Sequence, residues 1–282
     1  MTTIPNIATV AVGKKYESKF GDGSDTPWLD NNPVLQKQIA ENKWKRWDGV
    51  EGSAQTHLTW MYNEAKSLMS KERSNEFRHY GEKNNCTYYI HDELTASGDG
   101  YGLFKVEGVL KLEPKDMVAA CFDFKTIAKA DKTVVFMKFL KFYEKKEEDE
   151  PSSAAAYWCN APGFPFYYRD GVDLTGYKKD DDGIVWQFSV SAKGENFISM
   201  PGALDATDRY WAYRLEPNGD GTTNVTLICQ TLLNGYMPKF LTNYLVCSVL
   251  IDYMQTITEV VEERKKSGKH QAFLKQMKLD KW

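Results

Sequence analysis

The chain has 282 residues, which at roughly 100–200 residues per domain makes one large domain, or one domain with an extension. Hydrophobic residues make up 42%, aromatics 13% and charges 27%; this excludes a disordered composition and leaves enough apolar material for a sizeable core with a hole in it. A formal net charge of -3 argues against general nucleic-acid binding, which shows as a basic domain.

Residues 1–32 are rich in Gly, Asp and Thr and have little periodicity, so they read as a loose arm. Helices are predicted over Pro33–Trp47 and Ala54–His79, where Leu58, Met61, Tyr62, Ala65, Leu68 and Met69 recur at helical spacing. Alternation follows: Phe104, Val106, Gly108, Leu110 and Leu112 share one face and Lys105, Glu107 and Lys111 the other, a half-buried strand. Pro114 opens a short helix running to Ile127. Strands are predicted over Val134–Tyr143, Ala154–Cys159, Tyr167–Tyr177, Ile184–Val190, Arg209–Leu215 and Thr223–Leu232. Short links between successive strands require a mainly antiparallel sheet, with about nine strands in all. A long helix from Met237 to Lys266 ends an α+β chain.

That last helix is apolar on nearly every side from Phe240 to Ile257. A helix without a polar face must be buried all round. Its second side is filled either by the N-terminal helices or by a lipid held between helix and sheet. The same run is too short to span a bilayer, which needs about 20 residues.

Conventional enzyme constellations are missing. Gly98-Asp-Gly100-Tyr-Gly102 is followed by a strand and not a helix, so it reads as a turn. There is no Gly-x-Ser-x-Gly, Walker loop or His-Glu-x-x-His, and the histidines 57, 79, 91 and 270 have no metal-ligand spacing. The reading assigns no catalytic residue, no metal and no cofactor. Cys86, Cys121, Cys159, Cys229 and Cys247 form an odd, scattered set, as expected of reduced thiols in a cytosolic protein.

The run Tyr157-Trp158-Cys-Asn-Ala-Pro-Gly-Phe164-Pro165-Phe-Tyr-Tyr-Arg169-Asp170 resembles the signature of StAR-related lipid-transfer (START) domains, particularly the phosphatidylcholine-transfer branch. Ile184-Val-Trp-Gln-Phe-Ser-Val190 is similar to the following strand of the ceramide-transfer branch. Asn224–Pro238 is similar to the family's last strand and the turn into its closing helix. The resemblance covers residues 54 to 266 and implies a helix-grip fold: a curved antiparallel sheet with a long C-terminal helix closing a hydrophobic tunnel. It implies no enzyme but a protein that binds one lipid (phospholipid, ceramide-like or sterol) and transfers or presents it between membranes. The expected organisation is an extension over 1–53, the START-like domain over 54–266 and a basic amphipathic tail over 267–282, in a monomer with no nucleic-acid partner. Two departures stand out. Ile127–Thr133 lacks the Arg and Trp-Asp of phosphatidylcholine-binding members, and Ala154–Ala156 with Thr175 lacks the acid and Arg of sterol-binding ones.

Within that resemblance Gln187 takes the place where ceramide-type members use Asn, and on its strand it shares a face with Val185 and Ser189. Trp158, Tyr157 and Tyr168 can supply wall area with a polar tip. Arg169 and Asp170 are adjacent and point to opposite faces, which favours a role in tying strands together. Glu144 can reach a ligand hydroxyl or stand exposed at its strand end. On the helix, Val246, Leu250, Tyr253 and Ile257 form one stripe, and Phe240, Tyr244, Cys247, Ile251 and Met254 an opposite one nearly as apolar; the sequence does not choose between them. Two rival classes stay open. A helix-grip cyclase or hydrolase would show a tunnel-facing pair of titratable groups, and an interaction module a collapsed cavity.

The N-terminus lacks a basic region ahead of its apolar residues, so no secretory signal is expected, and the location reads as cytoplasmic with transient membrane contact. Between Arg264 and Trp282 seven basic residues face one acidic, a net +6, interleaved with Phe273, Leu274, Met277 and Trp282. This suits an anionic membrane surface or, alternatively, a terminal helix docked back on the domain.

Overall fold

The computed structural model describes residues 27–91, 102–161, 167–193, 199–200, 202–235 and 238–282. The arm before residue 27, most of the Gly98–Gly102 turn, and Pro162–Phe166 of the signature run lie outside them.

Nine strands form the path of one large sheet, in the order β3-β4-β5-β12-β11-β9-β8-β7-β6. They are β3 (Phe77–Lys83), β4 (Cys86–His91), β5 (Phe104–Leu110), β6 (Val134–Tyr143), β7 (Ser152–Asn160), β8 (Tyr168–Lys179), β9 (Val185–Lys193), β11 (Thr207–Pro217) and β12 (Thr223–Leu232). Every pairing along the path is antiparallel, as the short links require. The short β10 (Ala203–Asp205) runs parallel to the start of β8.

The two predicted N-terminal helices are shorter than their periodicity suggested. After α1 (Pro27–Asp30), α2 covers Pro33–Glu41 and stops because Asn42 turns left-handed at φ 52°. The Asn42 amide then holds the next helix, accepting from the Ala54 N–H at 3.0 Å and donating to Gln55 at 2.9 Å. Residues expected to continue the helix instead form β1 (Trp44–Arg46), which pairs with β2 (Glu51–Gly52) and with β9. Helix α3 (Ala54–Leu68) is capped by the Ser53 hydroxyl. It ends where its apolar stripe ends, and Phe77–His79 belong to strand β3. The predicted helix after Pro114 is two, α4 (Pro114–Cys121) and α5 (Phe124–Ala130), because Asp123 caps a new start by accepting from the Lys125 N–H. Helix α6 (Lys239–Lys266) is unbroken over 28 residues, a length of about 42 Å at 1.5 Å per residue.

The helices divide between the faces of the sheet. Leu58, Met61, Tyr62 and Ala65 of α3 pack with Trp186, Phe188 and Val190 on the outer face. Leu250, Tyr253, Met254 and Ile257 of α6 pack over the inner face with residues of α4 and α5. The second side of α6 is therefore met by α4, α5 and the C-terminus, and the N-terminal helices cover the opposite face.

The tail docks. Helix α7 (Lys269–Gln276) follows a left-handed Gly268. Leu274 and Leu279 are buried, and Phe273 and Met277 pack against the inner core. Buried His270 meets Asp116 at 2.9 Å, while Lys265 pairs with the same carboxyl at 2.7 Å. Burial works against ionising Asp116, but these two partners outweigh it and hold its carboxyl below the usual range. The apolar side of the tail is thus occupied by the domain, and Lys266, Lys269, Lys275, Lys278 and Lys281 remain exposed. No helix among the described residues is long and apolar enough to cross a membrane.

Candidate binding cavity

Between the inner face of the sheet and α6 lies a cavity of about 170 Å³. Its apolar wall includes Ile127, Met137, Trp158, Trp211, Leu250 and Tyr253. Trp158 arrives there by period two: Ala154, Ala156 and Trp158 point inward from β7, whereas Ala155, Tyr157 and Cys159 join the outer core. A larger groove of about 1050 Å³ at the end of the sheet is lined by Lys66, Lys145, Lys178, Asp180 and other charges of both signs. It offers a lipid little apolar area.

Strand β9 supplies the first polar group. Gln187 is only 2% exposed. Its Nε2 donates to Thr175 Oγ1 at 3.1 Å across β8, and Ser189 donates to the same oxygen at 2.8 Å. The Gln187 amide oxygen has no partner among the described residues. A buried acceptor without a donor is costly, about 1–3 kcal/mol, and this one belongs to a residue that lines the cavity.

A second polar group was not anticipated. Asp173 of β8 and Asp208 of β11 both line the cavity, and their carboxyls hydrogen-bond each other. Ser191, paired with Asp173 across the ladder, donates to it at 2.6 Å and accepts from the Asp208 N–H at 2.7 Å. Thr231, opposite Asp208, donates to the Asp208 carboxyl. Burial pushes both acids up, and the charge of Asp208 pushes Asp173 up further. Two carboxyls in contact resist ionising together, an arrangement that suits a proton held between them. Strict alternation from Trp211 and Tyr213, which face the cavity, would aim Asp208 outward. A bulge between Asp208 and Tyr210 breaks the register and turns it inward.

The other sequence candidates are spread over several sites. Val185 shares the Gln187 face but lies farther along, in a surface groove with Pro114 and Trp282. Tyr157 points to the outer face and donates to Asp170 at 2.7 Å; Tyr168 packs against that outer core. Arg169 and Asp170 do point apart. Buried Arg169 binds the carbonyls of Leu233, Tyr167 and Asn234, clamping the end of β12 to the start of β8. Asp170 accepts from Tyr157 and the Met200 N–H, and burial pushes its carboxyl up. Glu144 stands exposed just beyond β6, and only its backbone carbonyl is engaged, by Gln55 at 3.1 Å. On α6, Leu250 and Tyr253 line the cavity, and Ile257 is buried in the inner core beside it. The side chains of Val246, Tyr244 and Ile251 lie outside the described residues. From the opposite stripe, Phe240 is exposed while Cys247 and Met254 are buried.

A curved antiparallel sheet with one long helix lying over a cavity on its inner face defines the helix-grip architecture expected from the sequence. The START domain family model matches residues 61–267, and the chain belongs to that family. The solved structure of human STARD10 is similar with a TM-score of 0.60 and 11% identity, over 73% of this chain and 81% of that one. Human StAR-related lipid transfer protein 5 gives 0.59 and 15%, over 74% and 97%. The human StarD13 (DLC2) lipid transfer and protein localization domain gives 0.53 and 18%, over 71% and 95%. None of the curated proteins compared with it matches.

Proposed function

We propose that the protein binds a single lipid between the sheet and α6 and transfers or presents it between membranes. The observation that carries this reading is the cavity under α6, apolar along most of its wall, in a chain of the START family. Burial of acyl or ring surface at about 25 cal/mol per Å² supplies most of the binding, with no covalent step needed. At about 170 Å³ the cavity is smaller than the ~300–1,000 Å³ usual for ligand pockets. A whole lipid therefore enters only if α6 moves outward from the sheet. In this reading residues 54–266 are the lipid-binding domain, 1–53 an extension and 267–282 a basic tail. The protein works as a cytoplasmic monomer that touches membranes transiently.

The test is to purify the protein, extract it with organic solvent and identify the lipid by mass spectrometry, alongside uptake of fluorescent lipids from vesicles. A bound lipid with measurable uptake is expected; repeated preparations without either would overturn the reading. The Asp173–Asp208 pair gives specific support to a second reading, an enzyme of the helix-grip type, because two inward-facing acids with raised pKa values suit proton transfer. Recovery of the lipid with its mass unchanged after prolonged incubation rejects that second reading, and a hydrolysed or cyclised product rejects the first.

A further inference from the structure

The cavity wall has a one-sided polarity. Asp131, Asp173 and Asp208 line it, and its lining contains no Lys, Arg or His among the described residues. Thr133 satisfies Asp131, donating from both its N–H at 2.8 Å and its hydroxyl at 2.7 Å. The Asp173–Asp208 pair accepts from the Ser191 and Thr231 hydroxyls and has the Trp158 indole beside Asp173, and no cationic side chain among the described residues of the lining offsets a negative charge on it. Independently, Gln187 is 98% buried in the same wall (2% exposed) and its amide oxygen has no donor among the described residues. Both features ask for the same thing from a ligand: hydrogen-bond donors, with positive or no charge.

A phosphate has the opposite chemistry. It brings negative charge and acceptor oxygens, and stable phosphate sites supply Arg, Lys or a helix N-terminus. Placed here it would meet three carboxyls and an acceptor amide.

Resting on the lipid-binding reading, we propose that Asp173, Asp208 and Gln187 form a recognition site for a phosphate-free lipid whose polar end donates hydrogen bonds through an amine or hydroxyls. An ammonium would neutralise the pair's residual charge and replace the water its carboxylate gave up. Hydroxyls or an amide N–H would donate to the carboxylate and to the Gln187 oxygen.

Four fluorescent probes, each in neutral vesicles, test the assignment: a long-chain sphingoid base, a ceramide, phosphatidylcholine and phosphatidic acid. The full-length protein should take up the first two about tenfold better than the phospholipids, the factor expected from one or two charge-assisted hydrogen bonds. Comparison of the sphingoid base with the ceramide separates an amine from hydroxyls as the recognised group. In the nearly isosteric double variant Asp173→Asn/Asp208→Asn the preference should fall about tenfold, more for the amine, with the thermal melt retained. If that variant does not fold, Thr231→Val, which removes one donor to Asp208, is read in the same assay. Phospholipid uptake equal to or better than that of the phosphate-free lipids overturns the inference and leaves lipid binding standing. An unchanged preference in folded variants also overturns it. Uptake of none of the four overturns lipid binding itself, and the inference with it.

Discussion

The two faces of the sheet are built from alternate residues of the same strands and differ in kind. On β9 the outward residues are Trp186, Phe188, Val190 and Ala192, all buried in the core beneath α3. The inward residues of the same strand are Val185, Gln187, Ser189 and Ser191, three of them polar and hydrogen-bonded across to β8. The outer face is closed by interlocking rings, with Tyr62 5.7 Å from Trp186 and 5.9 Å from Phe188. The inner face keeps a cavity, an amide oxygen without a donor among the described residues and a pair of carboxyls in contact. One face carries the stability that lets the other stay imperfectly packed, the usual arrangement where a protein must admit a ligand.

This contrast breaks most readily from the outer side. Phe188→Ala removes a fully buried ring and should cost about 3–5 kcal/mol in chemical denaturation; a loss below 1 kcal/mol would mean that the outer face is not the stabilising one. Gly176→Ala comes next. A Cβ at that position would lie 2.2 Å from the Ser152 carbonyl and 2.9 Å from Leu58. The obstacle is backbone, so the β7–β8 pairing must shift, at about 1–3 kcal/mol or more.

On the inner face the same measurement should change sign. Asp173 has its pKa raised above the ordinary 3.8 by burial and by the neighbouring Asp208. The folded chain therefore holds this proton where the unfolded chain has released it. Stability falls as pH rises from about 4 through the folded value. Asp173→Asn should leave stability unchanged near pH 4, raise it at pH 7 and flatten the slope of melting temperature against pH between them. A variant less stable than wild type at pH 7 would contradict the shared-proton picture. Gln187→Leu should stay within about 1 kcal/mol of wild type, because it removes an unpartnered acceptor along with one hydrogen bond. It should nevertheless weaken or switch lipid preference; unchanged selectivity would remove Gln187 from the site.

The smallest effect is expected at the tail. Phe273, Leu274, Met277 and Leu279 are docked, which leaves the exposed lysines and the half-open Trp282 free to meet a membrane. Exchanging Lys266, Lys269, Lys275 or Lys278 singly for Gln should reduce binding to phosphatidylserine vesicles by at most about 1 kcal/mol at low salt, and the loss should shrink as salt screens the attraction. Equal binding by both proteins at low salt would leave the tail a purely structural element.

Local patterning was enough to write down most of the sheet and the closing helix. Alternation over Phe104–Leu112 makes a half-buried strand there, and the same period of two put Gln187 and Ser189 on one face. All-round apolarity of residues 240–257 demanded a buried helix, and Cys247, Leu250, Tyr253, Met254 and Ile257 are buried while Phe240 at its start is exposed. Strand β3 is mostly exposed and carries no apolar alternation, its place being set by pairing with β4, and β4 is only six residues long. The end of α2 depended on the left-handed turn at Asn42 and its bonds to α3, which periodicity does not register.

The acid pair was beyond sequence reasoning for a further reason. Asp173 and Asp208 are far apart in the chain, on strands β8 and β11 that are each hydrogen-bonded to β9 between them, and only a bulge in β11 turns Asp208 inward. The sequence by itself determined which residues alternate, which helix must be buried and which face Gln187 shares with its neighbours, since these follow from backbone periods of 2.0 and 3.6. The tertiary structure decided which apolar face closes on which, that the tail docks, and that two carboxyls meet beside an orphaned amide. Those outcomes depend on strand register and the proximity of distant segments, which no local period encodes.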